Sequence, residues 1–148
     1  MLLKRAFHNT APDVVAKEFK NGEKAYRGYA RRERHQIGYD SANGKTQTKI
    51  TWENVENHVY ENKGPGTSMT MNSEIARIFA GSYGCIDTID LSKCGKVIDV
   101  KKTLGVDKFG EEELLVDGLT RDAVIQTEEV HGEVRTIHLN PHYKRASK

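Results

Sequence analysis

The sequence predicts an α+β fold of mainly antiparallel strands, and three observations lead there. Apolar residues recur at helical spacing through the first half of the chain, short apolar or alternating runs fill the second half, and tight turn signals separate those runs. Helices followed by strands, without an alternating βαβ rhythm, favour antiparallel pairing. A length of 148 residues suits one compact domain, residues 1–148, with a core that needs no covalent staple.

The first helix is expected from Asp13 to Phe19, where Val15, Ala16 and Phe19 share a face, Pro12 precedes and Asn21-Gly22 closes. Tyr26 to Tyr29 reads as a short strand running into a basic segment that holds Arg31, Arg32, Arg34 and His35. The polar stretch from Tyr39 to Thr51 contains the turn signal Asn43-Gly44. Ile50 to Tyr60 puts Trp52, Val55 and Val59 at helical spacing, and Trp52 is expected to pack that helix on a sheet. After the breaker Gly64-Pro65-Gly66, Asn72 or Ser73 is placed to cap a helix with Ile75, Ala76, Ile78 and Phe79 as its apolar face. Glu74 lies in its first turn, where the helix dipole favours negative charge, and Gly81 ends it. Strands are expected at Cys85 to Leu91, Lys96 to Val100, Leu114 to Val116, Ala123 to Thr127 and Val134 to Leu139, with turns at Lys93-Cys94-Gly95 and His131-Gly132-Glu133.

Composition narrows the functional classes. A hydrophobic fraction of 36%, a charged fraction of 30% and only three prolines describe a globular chain with a polar surface. No apolar stretch approaches the roughly 20 residues that span a membrane. Met1 to Phe7 becomes charged too early for a signal peptide, so secretion by that route is not expected; delivery as part of a larger polypeptide would leave no such mark. A net charge of +2 does not by itself diagnose nucleic-acid binding. The cluster around Arg27 to His35 and the tail residues Lys144, Arg145 and Lys148 fit either phosphate contacts or solvated faces. Cys85 and Cys94 are too few and too loosely spaced for a zinc site and read as small apolar residues. The six histidines show no metal-ligand spacing, so no metal is expected, and no GxGxxG or P-loop is present.

The chemistry-bearing run is Gly110-Glu111-Glu112-Glu113-Leu114-Leu115-Val116. In an extended segment residues two apart project from one side, which would put Glu111 and Glu113 in the same cleft. Alone, such a run is usually a solvated turn. Upstream, however, stand Tyr26-Arg27-Gly28 and then Ser68-Met69-Thr70 just before the capped helix. This order resembles the Arg, Ser-Thr-Ser, Glu-x-Glu pattern of the mono-ADP-ribosyltransferase toxins related to cholera toxin and the clostridial binary toxins. The resemblance spans Tyr26 to about Ile125.

The resemblance implies two packed, mainly antiparallel sheets with an NAD+ cleft between them, and transfer of ADP-ribose from NAD+ to a macromolecule. Cleavage of the nicotinamide–ribose bond develops oxocarbenium character, which a nearby carboxylate stabilises. That role falls to Glu113, with Ser68 orienting it or touching the ribose. Arg27 would grip the phosphates or the adjacent ribose, and Thr70 would support strand and cleft. Met69 replaces the family's central threonine. Glu111 would position or deprotonate the acceptor, and Phe109 is the candidate aromatic of an acceptor loop from Lys101 to Gly110. Tyr29, Phe79 and Tyr83 are the candidates for stacking on nicotinamide. Glu112, alternating to the opposite face, is expected to be merely solvated. Glu111 points to protein arginine as acceptor, while the basic segments point to structured RNA. A toxin module acting in the cytoplasm of a target cell, with an immunity protein as partner, fits the same resemblance, as does a role in competition between bacteria. Two other readings stand beside it: NAD+ hydrolysis with water as acceptor, and a non-catalytic nucleic-acid-binding module.

Overall fold

The computed structural model describes residues 16–17, 19–20, 22–30, 38–41, 50–61, 66–105, 110 and 112–144. Its strands are β1 (Ala16–Lys17), β2 (Lys24–Ala30), β3 (Thr67–Thr70), β4 (Gly84–Asp90), β5 (Lys96–Asp99), β6 (Glu113–Asp117), β7 (Val124–His131) and β8 (Val134–Leu139). The helices are α1 (Trp52–Glu61), α2 (Ser73–Ala80) and α3 (Val100–Leu104). Every strand pair is antiparallel, in the order β1-β5-β6-β3-β2-β4-β7-β8. The α+β architecture is the expected one.

The sheet is nearly two sheets. β2 and β4 share seven register pairs and β3 and β6 share four, but β2 meets β3 only where Tyr26 faces Thr70. Four strands therefore lie on each side of a single rung. One face is bridged by an apolar core drawn from both sides, including Ala25, Met69, Ile89, Val97, Leu114 and Val124. On the opposite face α1 covers one half through Trp52 and Val55, which pack with Ile98 and Leu115. Trp52 also donates its indole N–H to the Thr103 carbonyl at 3.1 Å, so the expected packing role holds. A reciprocal cap starts α1: Thr51 N–H donates to Asn54 Oδ1 at 2.9 Å and Asn54 N–H to Thr51 Oγ1 at 3.2 Å.

α2 covers the other half at unusually close range. A Cβ added at Gly28 would fall 1.8 Å from the Ala76 carbonyl oxygen, and one added at Gly84 would fall 2.0 Å from that of Ala80. Small residues on both surfaces let the helix lie directly on β2 and β4. This corrects the expected apolar face: Ala76 and Ala80 are buried, whereas Ile78 and Phe79 are exposed, because no room exists beneath the helix for larger side chains.

Other local expectations change too. Ala16–Lys17, placed in a helix by spacing, instead pair with Ile98 and Val97 of β5; tertiary backbone pairing overrides a weak local propensity. Asp13 to Val15 lie outside the described residues. Residues 101–104, read as part of a loop, belong to α3, which Asp99 caps by accepting from Lys102 N–H at 3.0 Å and Gly105 closes at φ 78°. Cys85 is buried and Cys94 half-buried, and the two are not joined in a disulfide. No described helix is long and apolar enough to cross a membrane.

Candidate active site

The cleft opens where β2 parts from β3. Its walls come from both strands, the last turn of α1, α2 and the first residue of β6, and it encloses about 440 Å³, within the range of ligand pockets. Side-chain alternation decides what enters it. Thr70 faces both Tyr26 and Glu113 across the ladders, and Ser68 lies two residues before it on the same side. Met69 alternates to the other side and packs in the core. The missing central hydroxyl is thus replaced by a core residue.

Ser68 donates its hydroxyl hydrogen to Glu113 Oε2 at 2.5 Å. His58, from the last turn of α1, brings Nδ1 to 3.4 Å from the same oxygen. Both partners are largely dehydrated, with side chains 10% and 12% exposed for His58 and Glu113. Glu113 Oε1 has no partner among the described residues. One carboxylate oxygen is therefore anchored and the other is available to a ligand.

Thr70 is buried, and its hydroxyl accepts from the Asn72 backbone N–H at 3.1 Å. Asn72 is the cap of α2: its side-chain Oδ1 accepts from Glu74 N–H at 3.0 Å, and its side-chain Nδ2 donates to Glu112 Oε2 at 3.0 Å. Asn72 thereby ties the start of α2 to the acidic run. Glu112 is not merely solvated: it makes this bond and adopts φ 49°, the left-handed region. The strand begins at Glu113, so the extended geometry assumed across the run does not hold at its middle residue. Glu111 and Phe109 lie outside the described residues, as do Arg31, Arg32, Arg34 and His35.

Arg27 lies on the opposite face of β2 from Tyr26 and contributes to the cleft wall while remaining 3% exposed. Its Nε donates to Asp87 Oδ2 at 3.0 Å and its Nη2 to the same oxygen at 2.5 Å. The other oxygen of Asp87 accepts from Tyr29 OH at 3.2 Å and Thr127 Oγ1 at 2.8 Å. Arg27, Asp87 and Thr127 are successive register partners across β2, β4 and β7. The guanidinium expected to grip the phosphates or the adjacent ribose is held in place by a buried carboxylate. Tyr29 also accepts from Gly38 N–H at 2.6 Å. Burial, reinforced by the Asp87 charge, pushes the Tyr29 hydroxyl far above its ordinary range and keeps it a neutral donor.

Of the three aromatics named for nicotinamide, Tyr29 is occupied by Asp87, and Tyr83 stands edge-on to His131 with ring centroids 6.4 Å apart, away from the cleft lining. Phe79 combines 50% exposure with a place in the cleft wall. Sequence reasoning missed His58 and Asp87, although both left a signal. His58 stands three residues after Val55, beside the stripe that packs α1. Asp87 follows Cys85-Ile86 in the middle of the expected strand Cys85 to Leu91, where a carboxylate calls for a partner. Among the described residues, no group of three or more His, Cys, Asp or Glu is placed to hold a metal ion.

No protein-family model matches the sequence, and no curated protein matches it significantly. Solved structures do match in fold. A protein described as a guanine-specific ADP-ribosyltransferase is 23% identical at a TM-score of 0.62, covering 92% of this chain and 86% of its own. The scabin toxin from Streptomyces scabies in complex with NADH is 23% identical at 0.61, covering 92% and 83%. A guanine-specific ADP-ribosyltransferase with NADH and GDP is 20% identical at 0.63, covering 92% and 85%. The chain has the ADP-ribosyltransferase fold.

Proposed function

We propose that this chain is a mono-ADP-ribosyltransferase that uses NAD+ as its donor substrate. The observation that carries this reading is the Ser68–Glu113 pair at the split of the sheet, with Glu113 Oε1 left open to the cleft. The free oxygen is suited to accept from a ribose hydroxyl and to stabilise positive charge developing at the anomeric carbon as nicotinamide leaves. Phe79, Val59 and Ala76 supply apolar wall for the nicotinamide, and Ser68 and Thr70 supply hydroxyls beside the ribose. Arg27 serves as a fixed rather than a mobile cation at the cleft.

The acceptor in this reading is a guanine base, free or within a nucleic acid. Support comes from neighbours of the same fold described as guanine-specific, one of them with GDP. Glu111 acts on the acceptor side, as the motif order implies. The setting is that of a toxin module delivered within a larger protein.

Labelled NAD+ incubated with the chain and a bacterial lysate, followed by nuclease or protease treatment in parallel, tests both levels. Label released by nuclease, or carried on free guanine nucleotides, supports the acceptor reading. Label released only by protease redirects it to protein arginine, and label recovered solely as ADP-ribose redirects it to water. Glu113→Ala is expected to lower nicotinamide release by about 10²–10³-fold or more; retention of most activity removes Glu113 from the mechanism.

A further inference from the structure

We propose that His58 is a positioning residue for the catalytic carboxylate: its Nδ1–H shares Oε2 of Glu113 with the Ser68 hydroxyl and so turns Oε1 to the donor ribose. This inference rests on the transferase reading and adds a residue that the motifs do not contain.

A carboxylate oxygen accepts two donors comfortably. Here Ser68 from β3 donates to Oε2 at 2.5 Å, and His58 from α1 brings Nδ1 to within 3.4 Å of the same oxygen. Two fixed donors from different elements define the carboxylate plane, whereas one leaves it free to rotate about the remaining bond. At 3.4 Å the His58 contact is a close approach short of a hydrogen bond, and catalytic contacts often tighten only when substrate excludes the remaining water. Both side chains are half-buried, at 10% and 12% exposed, so the contact is less screened than a surface pair of equal length.

The histidine is itself held. α1 is pinned by Val55 in the core and by the Trp52 bond to Thr103, so the ring is delivered from a rigid element. His58 Nε2 has no partner among the described residues, which leaves Nδ1 as the nitrogen that meets the protein.

The test compares His58→Ala and His58→Asn with wild type and Glu113→Ala, measuring kcat and KM for nicotinamide release together with the affinity for ADP-ribose. Asn sets an amide N–H close to where Nδ1 stands, and Ala removes the donor. His58→Ala is expected to lower kcat by about 10²-fold with KM and ADP-ribose affinity within about threefold, and Asn to recover to within about tenfold of wild type. His58→Leu, which retains apolar packing at the site, should match the Ala loss. Retention of most of kcat in His58→Ala, a loss confined to KM, or an Asn variant no better than Ala overturns the proposal. Wild type that releases no nicotinamide, indistinguishable from Glu113→Ala, instead overturns the transferase reading on which it rests.

Discussion

Asp87→Ala is expected to be the most damaging single truncation on the Arg27 face. Asp87 is 0% exposed and Arg27 3%. The mutation removes the acceptor of two guanidinium bonds and of the Tyr29 and Thr127 hydroxyls together. Removing one partner of a buried pair costs about 3–5 kcal/mol, mostly from the buried charge left behind. Set against a total stability of about 5–15 kcal/mol, that is a large share of the whole. For a chain of this size it corresponds to a melting point lower by about 6–20 °C. Urea denaturation followed by circular dichroism gives the free energy, and a double-mutant cycle with Arg27→Met isolates the pair. Arg27→Met combined with Asp87→Leu should be more stable than Asp87→Ala, since no uncompensated charge remains. An Asp87→Ala variant within about 1 kcal/mol of wild type would falsify the view that this pair organises the cleft wall.

Gly28→Ala places a methyl group 1.8 Å from the Ala76 carbonyl oxygen, and backbone must move to admit it; a loss of about 1–3 kcal/mol is expected in chemical denaturation, with weakened NAD+ binding as α2 lifts. Met69→Thr restores the hydroxyl found in the toxin motif but at a core position 3% exposed; it should cost about 2 kcal/mol or more with no gain in turnover, and an unchanged melting point would place Met69 outside the core. Burial works to raise the Asp90 carboxyl, but bonds from Ser92 and Tyr143 outweigh it and hold the group below its ordinary range. Its stabilising contribution is therefore present above the unfolded value of about pH 4 and is lost as pH falls through the lower native value. Tyr143→Phe, which removes the donor at 2.9 Å, should flatten that acid limb in melts recorded across the range. Burial, with Asp90 and Asp122 nearby, pushes the Cys94 thiol up to about 12, so alkylation at neutral pH should be slow until the protein is unfolded.

The sequence carried the order of the three motifs, the turns and most strands, because those depend on local chemistry: a cap, a breaker, an alternation. It assigned Ser68, Thr70 and Glu113 to one site, and the register of β3 against β6 brings them together. What it could not carry depends on the distance between elements. Ile78 and Phe79 look like a helix's buried face until Gly28 and Gly84 draw the helix so close that only alanine fits beneath it. Nothing local to Arg27 reveals that Asp87, sixty positions downstream, meets it across the ladder and fixes its guanidinium. His58 stands beside the stripe of Trp52, Val55 and Val59, and nothing local says that this stripe ends beside a glutamate.

The single rung between β2 and β3 has a mechanical consequence. Ladder bonds are directional and fix the angle between strands, while apolar packing is not. Across the cleft the two halves are held chiefly by the core beneath them, where Ala25 from one side meets Met69 and Leu114 from the other. The width of the cleft is therefore set by side-chain volume in the core behind it, and a methylene gained or lost there changes the spacing of the walls.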